Sequence, residues 1–369
     1  MFLGDQLIGY TCTKCHILDV GQKDPVILLD SVDLFQEGLI VPGVKLYRAG
    51  VLNSDLYRTI LANSRLPEPI AGDIGSMIGA IRIGAQALER LVERYGVERF
   101  HASLELVFDH AETVMREFIS SIPDGRYVGV GLFEGRPADE PIPIELAIAI
   151  TNSDMAVDLT TAPDQLPFPE NLPVPNVISV IRGWLLSLLG GAETINEGHF
   201  RALQVRTRPG SMFQPLPPAP VSSYIFGVSG LEGFLRALSD ALPHLIPAQM
   251  GGDTDNVAFF GRSDDGTFWA STAILFGGQG ALPDRDGTCP LPFIPWSGMR
   301  INSSEIVETR TPVLVEDVKF GPTPRASGSF ADFPATGFAF VRCGPWPPPT
   351  CWTARRPGPT GCTAAGAGR

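Results

Sequence analysis

The change in hydrophobic period near Pro123 is the feature that most constrains the fold. Upstream of it, apolar residues recur at helical spacing over residues 74–95 and again over residues 100–119. Downstream, three stretches alternate with the period of two that is typical of strands, namely residues 127–133, 142–150 and 155–159. Long helices followed by strands, without regular strand and helix alternation, predict an α+β fold of mixed helices and mainly antiparallel sheets.

The first helical stretch carries signals at both of its ends. Asp73 is predicted as its N-cap and Gly96 as its C-terminal stop. Gly72, Gly75 and Gly79 lie along the early turns of this helix. Each glycine costs about 1 kcal/mol relative to alanine inside a helix. We therefore expect another element or a ligand to approach the helix backbone closely at these glycines.

Further elements follow along the chain. The pattern predicts a helix over residues 177–189 closed by two glycines, a strand over 202–206, a helix over about 230–242 and a hairpin of residues 256–261 and 267–276. Gly277 and Gly278 open a glycine loop that has no lysine to contact a phosphate. This loop is interpreted first as a turn, with a role in lining a site as the alternative.

The C-terminal tail differs sharply in composition from the rest of the chain. Residues 322–369 contain 9 Pro, 7 Gly, five Arg and one acid, Asp332, so they carry +4 and leave −16 for residues 1–321. Because proline breaks helices and central strands, the stretch from Cys343 onwards is predicted to form neither. The sequence thus predicts a folded region over 1–321 and a tail over 322–369 that is disordered or read in a changed frame.

Composition excludes several classes of protein. The chain has 369 residues, of which 44% are hydrophobic, and this composition is typical of a globular protein. Its formal charge of −12 makes nucleic acid or an anionic membrane surface an unfavourable main partner. We find no signal peptide and no apolar stretch of the roughly 18 residues that a membrane span needs. We expect a cytoplasmic protein.

Standard nucleotide and hydrolase motifs are missing from the sequence. It has no phosphate loop with a lysine, no dinucleotide glycine fingerprint after a strand, no nucleophile elbow and no zinc-protease helix motif. If the protein works with a nucleotide, we expect another chain to bind it.

The cysteines do not predict a metal framework. Cys12 and Cys15 form one Cys-x-x-Cys pair, but the other four cysteines are scattered and no second pair follows at zinc spacing. A redox pair would need Cys12 at a helix start, whereas the flanking residues are typical of extended chain. Incidental free thiols are the favoured interpretation.

Among the five histidines, His16 is the strongest candidate for chemistry. It stands three residues before Asp19 in a segment bounded by Gly21, and mixed nitrogen and oxygen ligands of this kind suit a divalent metal. The alternative is a His and an Asp that satisfy loop hydrogen bonds. His101 and His110 lie on the second helical stretch, where solvated roles are favoured, His244 is interpreted as loop packing, and His199 is ambiguous.

Seven stretches in order resemble one family, the hydantoinase B and 5-oxoprolinase-type subunits, which also includes subunits of ketone carboxylases. Lys14-Cys-His-Ile-Leu-Asp-Val-Gly is similar to the family's His-His-x-Asp-Ile-Gly-Gly segment. The other stretches lie at residues 36–46, 69–96, 196–201, 209–211, 217–221 and 277–281. The resemblance covers about residues 1–321.

The resemblance implies a subunit of an ATP-dependent cyclic-amide hydrolase that works with a separate hydantoinase A-type chain, which binds ATP and Mg. It implies that His16 and Asp19 lie at a divalent-metal site, where the cation could polarise a carbonyl or generate a hydroxide. Gly21 would shape the loop. For Asp73 two interpretations remain, a role at the start of the helix and a role in the site. Small cyclic amides are the implied substrates.

The sequence also departs from the family pattern. Cys15 and Gln22 replace a second His and a second Gly, the family's N-terminal region with further metal ligands is missing, and the family's glycine-rich run after residue 322 gives way to the tail. Two alternatives therefore stand beside the hydrolase: a subunit of an ATP-dependent ketone carboxylase, and an inactive truncated remnant that still packs.

Overall fold

The structure is a computed structural model that describes residues 1–25, 27–133, 140–191, 194–248, 254–263, 265–276, 280–286, 302–320, 337–342 and 350–354. The helices are α1 (Ser54–Ala62), α2 (Pro67–Tyr95), α3 (Val97–Ser120), α4 (Val174–Leu188), α5 (Gly233–Leu238) and α6 (Ser304–Arg310). The strands are β1 (Phe2–Leu3), β2 (Gln6–Leu7), β3 (Tyr47–Arg48), β4 (Val51–Leu52), β5 (Gly125–Phe133), β6 (Ile142–Thr151), β7 (Asp154–Asp158), β8 (Leu203–Arg206), β9 (Thr254–Arg262), β10 (Phe268–Phe276), β11 (Leu314–Phe320), β12 (Gly337–Arg342) and β13 (Thr350–Ala354). Six helices and several small, mostly antiparallel sheets confirm the predicted α+β class.

The two long helices α2 and α3 confirm the helical periodicity, but α2 differs from expectation at its start and along its glycines. The helix begins at Pro67, whose fixed backbone suits a first helical turn, so Asp73 lies inside the helix and is not its N-cap. Gly96 ends α2 as predicted and adopts a φ of 80°. Among the described residues, a Cβ added at Gly72, Gly75 or Gly79 would meet no atom within 4 Å, so no described element approaches the backbone there and the approach of a ligand stays a prediction.

A four-stranded sheet forms the centre of the molecule. Its order is β5-β6-β7-β8, with β7 and β8 parallel and the other pairs antiparallel. Along β6, the side chains of Ile144, Leu146, Ile148 and Ile150 are buried while their neighbours are more exposed, which is the alternation that the sequence predicts. The core cluster that these residues join draws its buried members from residues 115–246.

Two glycines on β5 let a helical segment lie directly on the sheet. The segment comprises a 3-10 helix over Tyr224–Glu232 followed by α5, so the helix predicted over 230–242 is split and ends earlier. A Cβ at Gly129 would fall 1.9 Å from the carbonyl oxygen of Gly233, and one at Gly131 would fall 2.1 Å from that of Gly230. The Val-Gly-Val-Gly pattern of β5 therefore serves close packing of backbone on backbone.

The remaining predicted elements are largely confirmed. α4 is followed by Gly190 with a φ of 86°, and β9 pairs with β10 in the predicted antiparallel hairpin. In the tail, β12 pairs with β11 and β13 lies at the edge of the β9 and β10 sheet, positions that tolerate interrupted hydrogen bonding. No helix in the described part of the chain is both long and apolar enough to cross a membrane.

Polar contacts attach the N-terminal segment, residues 1–53, to this core. Both carboxylate oxygens of Glu37 accept from the backbone N–H of Val221 at 2.9 Å, and one also accepts from that of Ser222 at 2.8 Å. Ser31 donates to the same carboxylate at 2.7 Å, and the Ser223 hydroxyl donates to the carbonyl of Leu28. The 36–46 and 217–221 stretches that carry the family resemblance are thus bonded to each other.

Candidate functional site

Asp19 is a buried carboxylate held by an arginine from a distant part of the sequence. Its side chain is 0% exposed, and its Oδ1 lies 3.0 Å from Nη1 of Arg65. Oδ2 accepts from the backbone N–H of Arg65 at 2.5 Å, and Oδ1 also accepts from the backbone N–H of Gly21 at 3.1 Å. Both oxygens are therefore engaged, as a buried charge requires.

Arg65 and Gly21 close the loop around Asp19. Nη2 of Arg65 donates to the carbonyls of Gln22 and Lys23, each at 2.8 Å, so the guanidinium ties the loop to the short link between α1 and α2. Gly21 adopts a φ of 84°, and a Cβ there would fall 2.6 Å from the carbonyl oxygen of Asn63. The positive φ and this close approach both favour glycine at position 21.

The other candidate residues lie in different settings. His16 is exposed, and its imidazole has no hydrogen-bond partner among the residues that the structure describes. Asp73 is half-buried in the second turn of α2. Cys12 and Cys15 are exposed free thiols in irregular chain, not at a helix start. Gly277 and Gly278 lie outside the described residues.

The described residues do not fit a divalent metal as they are arranged. A protein metal site needs at least three well-placed ligands, and no group of three or more His, Cys, Asp or Glu side chains in the described ranges could hold an ion. Asp19 already receives two N–H bonds from Arg65. The metal role of His16 and Asp19 stays a prediction that needs ligands from outside the described residues.

An apolar cavity of about 370 Å³ adjoins the Asp19 loop. Its walls are the N-terminal segment, α1 and the apolar face of α2, with Asp19 and Thr13 as its polar members. The N-terminal segment runs along α2, where the Thr11 hydroxyl donates to the carbonyl of Ile81 at 2.9 Å. Volume and lining suit a compact, largely apolar molecule.

Sequence reasoning missed Arg65 and Glu37. Arg65 lies 46 residues from Asp19, and no local spacing links the two. Glu37 was visible only within a family-like stretch, and its bonds to residues 221 and 222 span more than 180 positions. Only pairing information between distant positions could have revealed either contact.

Comparison with known proteins gives the family. The sequence profile of "Hydantoinase B/oxoprolinase" matches residues 1–331. A D-/L-hydantoinase subunit of Pseudomonas sp. (strain NS671) is 30% identical over 345 residues, which is 89% of this chain and 58% of that one. The acetophenone carboxylase delta subunit of Aromatoleum aromaticum is 25% identical over 329 residues, or 84% of this chain and 47% of that one.

The fold has a solved relative as well. The crystal structure of the ATP-dependent caprolactamase from Pseudomonas jessenii superposes with a TM-score of 0.78 at 24% identity, covering 88% of this chain and 57% of that one. The chain thus spans about half the length of these relatives. A profile match over most of the chain nevertheless decides membership: this protein belongs to the hydantoinase B/oxoprolinase family.

Proposed function

We propose that this chain is a subunit of an ATP-dependent cyclic-amide hydrolase of the hydantoinase or 5-oxoprolinase type. The observation that carries the proposal is the family match over residues 1–331, together with a hydantoinase subunit that is 30% identical. A hydantoinase A-type partner chain would bind ATP and Mg. The missing phosphate loop supports this division of labour, because this sequence has no motif of its own to hold the nucleotide.

The proposed reaction opens a ring by adding water across its amide bond. The carbonyl carbon gains the oxygen of water and becomes a carboxylate, and the C–N bond breaks. The ring nitrogen takes one proton of water and leaves as an amine, or as a urea nitrogen when the substrate is a hydantoin. The other proton goes to the released amine or to solvent. ATP is hydrolysed to ADP and phosphate in the same cycle. Coupling to ATP hydrolysis supplies free energy for opening the ring, whereas the low electrophilicity of an amide carbonyl is a separate, kinetic barrier.

The cavity beside Asp19 is the part of this chain that we propose for the substrate ring. Its apolar walls exclude water from the methylene carbons of a cyclic amide, and its volume of about 370 Å³ accommodates a ring of that size. The ion pair of Asp19 and Arg65 fixes the loop that forms one wall.

Reconstitution with a hydantoinase A-type chain tests the proposal. The full 369-residue protein and the partner are mixed with ATP and, in separate reactions, hydantoin, 5-oxoproline or ε-caprolactam, and ADP and ring-opened product are quantified. We expect one of these amides to stimulate ADP release with product formation. Asp19→Asn should lower product formation, whereas Asp5→Asn, at an exposed position, should not.

A ketone carboxylase is the second candidate, because the acetophenone carboxylase delta subunit is 25% identical to this chain. The same mixture with acetophenone distinguishes the two activities. Ketone consumption that depends on bicarbonate would favour the carboxylase and contradict the hydrolase. If neither substrate class stimulates ADP release while the two chains copurify, the result would favour an inactive remnant.

A further inference from the structure

A second cleft, separate from the cavity beside Asp19, lies between α3 and the residues that follow α4. Its volume is about 480 Å³, and Gly191, Thr194, Asn196 and His199 line it opposite α3. Leu106, Val107 and Val114 supply apolar walls, while His110 and His199 both line it. A largely apolar cleft with a few convergent polar groups has the character of a small-molecule site.

His199 is fixed by local hydrogen bonds and is nearly buried. Its side chain belongs to a short 3-10 helix over Glu197–Phe200, and the residue is 3% exposed. The backbone N–H of Asn196 donates to Nδ1 of His199 at 3.4 Å, which completes a capping box with the Asn196 side chain. The ring is therefore locked by the turn that carries it.

The bonds around Asn196 favour one tautomer of this ring. Nδ1 of His199 lies 3.2 Å from the carbonyl oxygen of Asn196 as well, so a hydrogen on Nδ1 could be donated there. A hydrogen on Nδ1 would leave the backbone N–H of Asn196 without an acceptor. The carbonyl of Asn196 does not need that hydrogen, because it already accepts from the backbone N–H of His199 at 3.3 Å. With Nδ1 as acceptor both groups are satisfied, and a neutral imidazole then carries its hydrogen on Nε2.

The bonds described above leave Nε2, the other ring nitrogen of His199, without a partner. Within the described ranges this atom has no hydrogen-bond partner, and the one enclosed side-chain N or O atom without a partner is Nε1 of Trp269. Nε2 is therefore accessible, and the cleft is the space that His199 lines. A donor that is held by its neighbours and left without an acceptor marks a place for a ligand oxygen.

The charges around the cleft favour a neutral ligand over an anion. Arg201 is paired with Glu105, Asp109 and Glu112, at 3.2, 2.8 and 3.2 Å. Arg182 is paired with Glu197 at 2.6 Å. The neighbouring arginines are thus occupied by at least as many carboxylates, which leaves no unpaired cation from these groups for an anionic ligand.

We propose that this cleft binds a small neutral carbonyl compound, whose oxygen accepts from Nε2 of His199 and whose carbon skeleton lies against Leu106, Val107 and Val114. His110 forms the polar rim on the α3 side. The proposal concerns a binding site that is independent of the ring-opening activity, so it stands or falls separately from the proposed function.

Nuclear magnetic resonance of histidine side chains tests the proposal on the full chain. The protein is labelled with ¹⁵N at histidine and titrated with 2-piperidone, a neutral cyclic amide, and in parallel with pentanoate, an anion of similar size. We expect His199 to show the Nε2–H tautomer before any addition. With 2-piperidone, the signals of His199 and His110 should shift saturably, whereas those of His101, exposed on the same helix as His110, should not.

Two variants test whether 2-piperidone binds in the cleft. His199→Phe removes the donor and should weaken binding of 2-piperidone at the cleft, measured from the His110 signals, about fivefold to tenfold. Val107→Glu puts a carboxylate at a position that is 45% exposed, so it leaves the fold intact and should weaken binding similarly. His101→Gln is the matched control and should leave the affinity unchanged.

Three results would overturn the proposal. They are an Nδ1–H tautomer at His199, equal shifts at His101 and His199, and tighter binding of pentanoate than of 2-piperidone. Wild-type affinity in Val107→Glu would also contradict the proposal. This variant keeps the test decisive if His199→Phe fails to fold.

Discussion

The N-terminal layer, residues 1–95, and the central region, residues 97–246, are held together by different forces. The central region buries a continuous apolar cluster that includes Trp184, Phe213 and Phe234. The N-terminal layer buries few side chains and exposes many large apolar ones, among them Phe35 at 76% and Ile83 at 67%. Its fixed points are polar: the ion pair of Asp19 with Arg65, and the bonds of Glu37 to the core.

This difference separates the region that stabilises the fold from the region that forms the candidate site. Burial of apolar surface in the central region supplies most of the stability, since each fully buried large side chain contributes roughly 1.5–3 kcal/mol. The N-terminal layer carries the Asp19 loop and its cavity, and a few directional contacts determine its geometry. Substitutions in the central region should unfold the molecule, and substitutions in the N-terminal layer should loosen the candidate site alone.

The largest expected effect is at Trp184. This side chain is 2% exposed and stacks on Phe234 with ring centroids 6.1 Å apart. Trp184→Ala should lower the free energy of unfolding by about 3–5 kcal/mol, measured by urea denaturation. Ile83→Ala, at an exposed position of α2, is the control and should stay within about 0.5 kcal/mol of wild type. Equal losses in the two variants would break the comparison.

Arg65 should show the next largest effect, confined to the N-terminal layer. Arg65→Met leaves the buried Asp19 without its cation, which should cost roughly 1–3 kcal/mol locally because the guanidinium itself is partly exposed. Hydrogen exchange should accelerate over residues 19–23 and 61–66 and stay unchanged in β6. Arg58→Met, at an exposed position of α1, should change neither region. Acceleration in β6 in the Arg65 variant would show that the two regions unfold together.

Two glycine substitutions should have opposite signs. Gly131→Ala places a Cβ 2.1 Å from a backbone carbonyl and should destabilise the protein by roughly 1–3 kcal/mol. Gly79→Ala meets no described atom within 4 Å in the interior of α2 and should stabilise that helix by about 0.5–1 kcal/mol. Thermal unfolding monitored by circular dichroism measures both. A destabilising Gly79→Ala would reveal a packing contact on this face of α2.

The smallest expected effect is the amount of divalent metal that the purified chain retains. Because Asp19 is paired with Arg65 and no third described ligand joins His16, the purified chain alone should retain far less than one equivalent of divalent metal after dialysis. Mass spectrometry of dissolved metal ions measures this directly. If the wild type retains one equivalent of metal and His16→Ala loses it, the prediction is wrong and His16 is a metal ligand in this chain.

The elements that local pattern governs were predictable, and those that distant contacts govern were not. Helix periodicity located α2 and α3, and period two located β5, β6 and β7. The start of α2 was misplaced because Asp73 is a good capping residue, whereas Pro67 starts a helix without a side-chain cap. The glycines of α2 were expected to allow close packing, yet that role falls to Gly129 and Gly131 on β5.

The candidate site was only partly predictable for the same reason. His16 and Asp19 stand three residues apart in sequence, but burial separates them: Asp19 is enclosed with Arg65 while His16 is exposed. A sequence shows which residue types are available and not which partner each one meets. His199 illustrates the limit, since its capping box with Asn196 is local whereas the cleft it faces depends on α3.

The most direct measurement of the proposed function is an omission experiment in the reconstituted hydrolase. Ring-opened product and ADP are quantified with the hydantoinase A-type chain and ATP, with and without this protein, on the cyclic amide that gives the strongest response. We predict that product forms in proportion to ADP and only when both chains are present. Equal product formation without this chain would contradict its role as a subunit of the hydrolase.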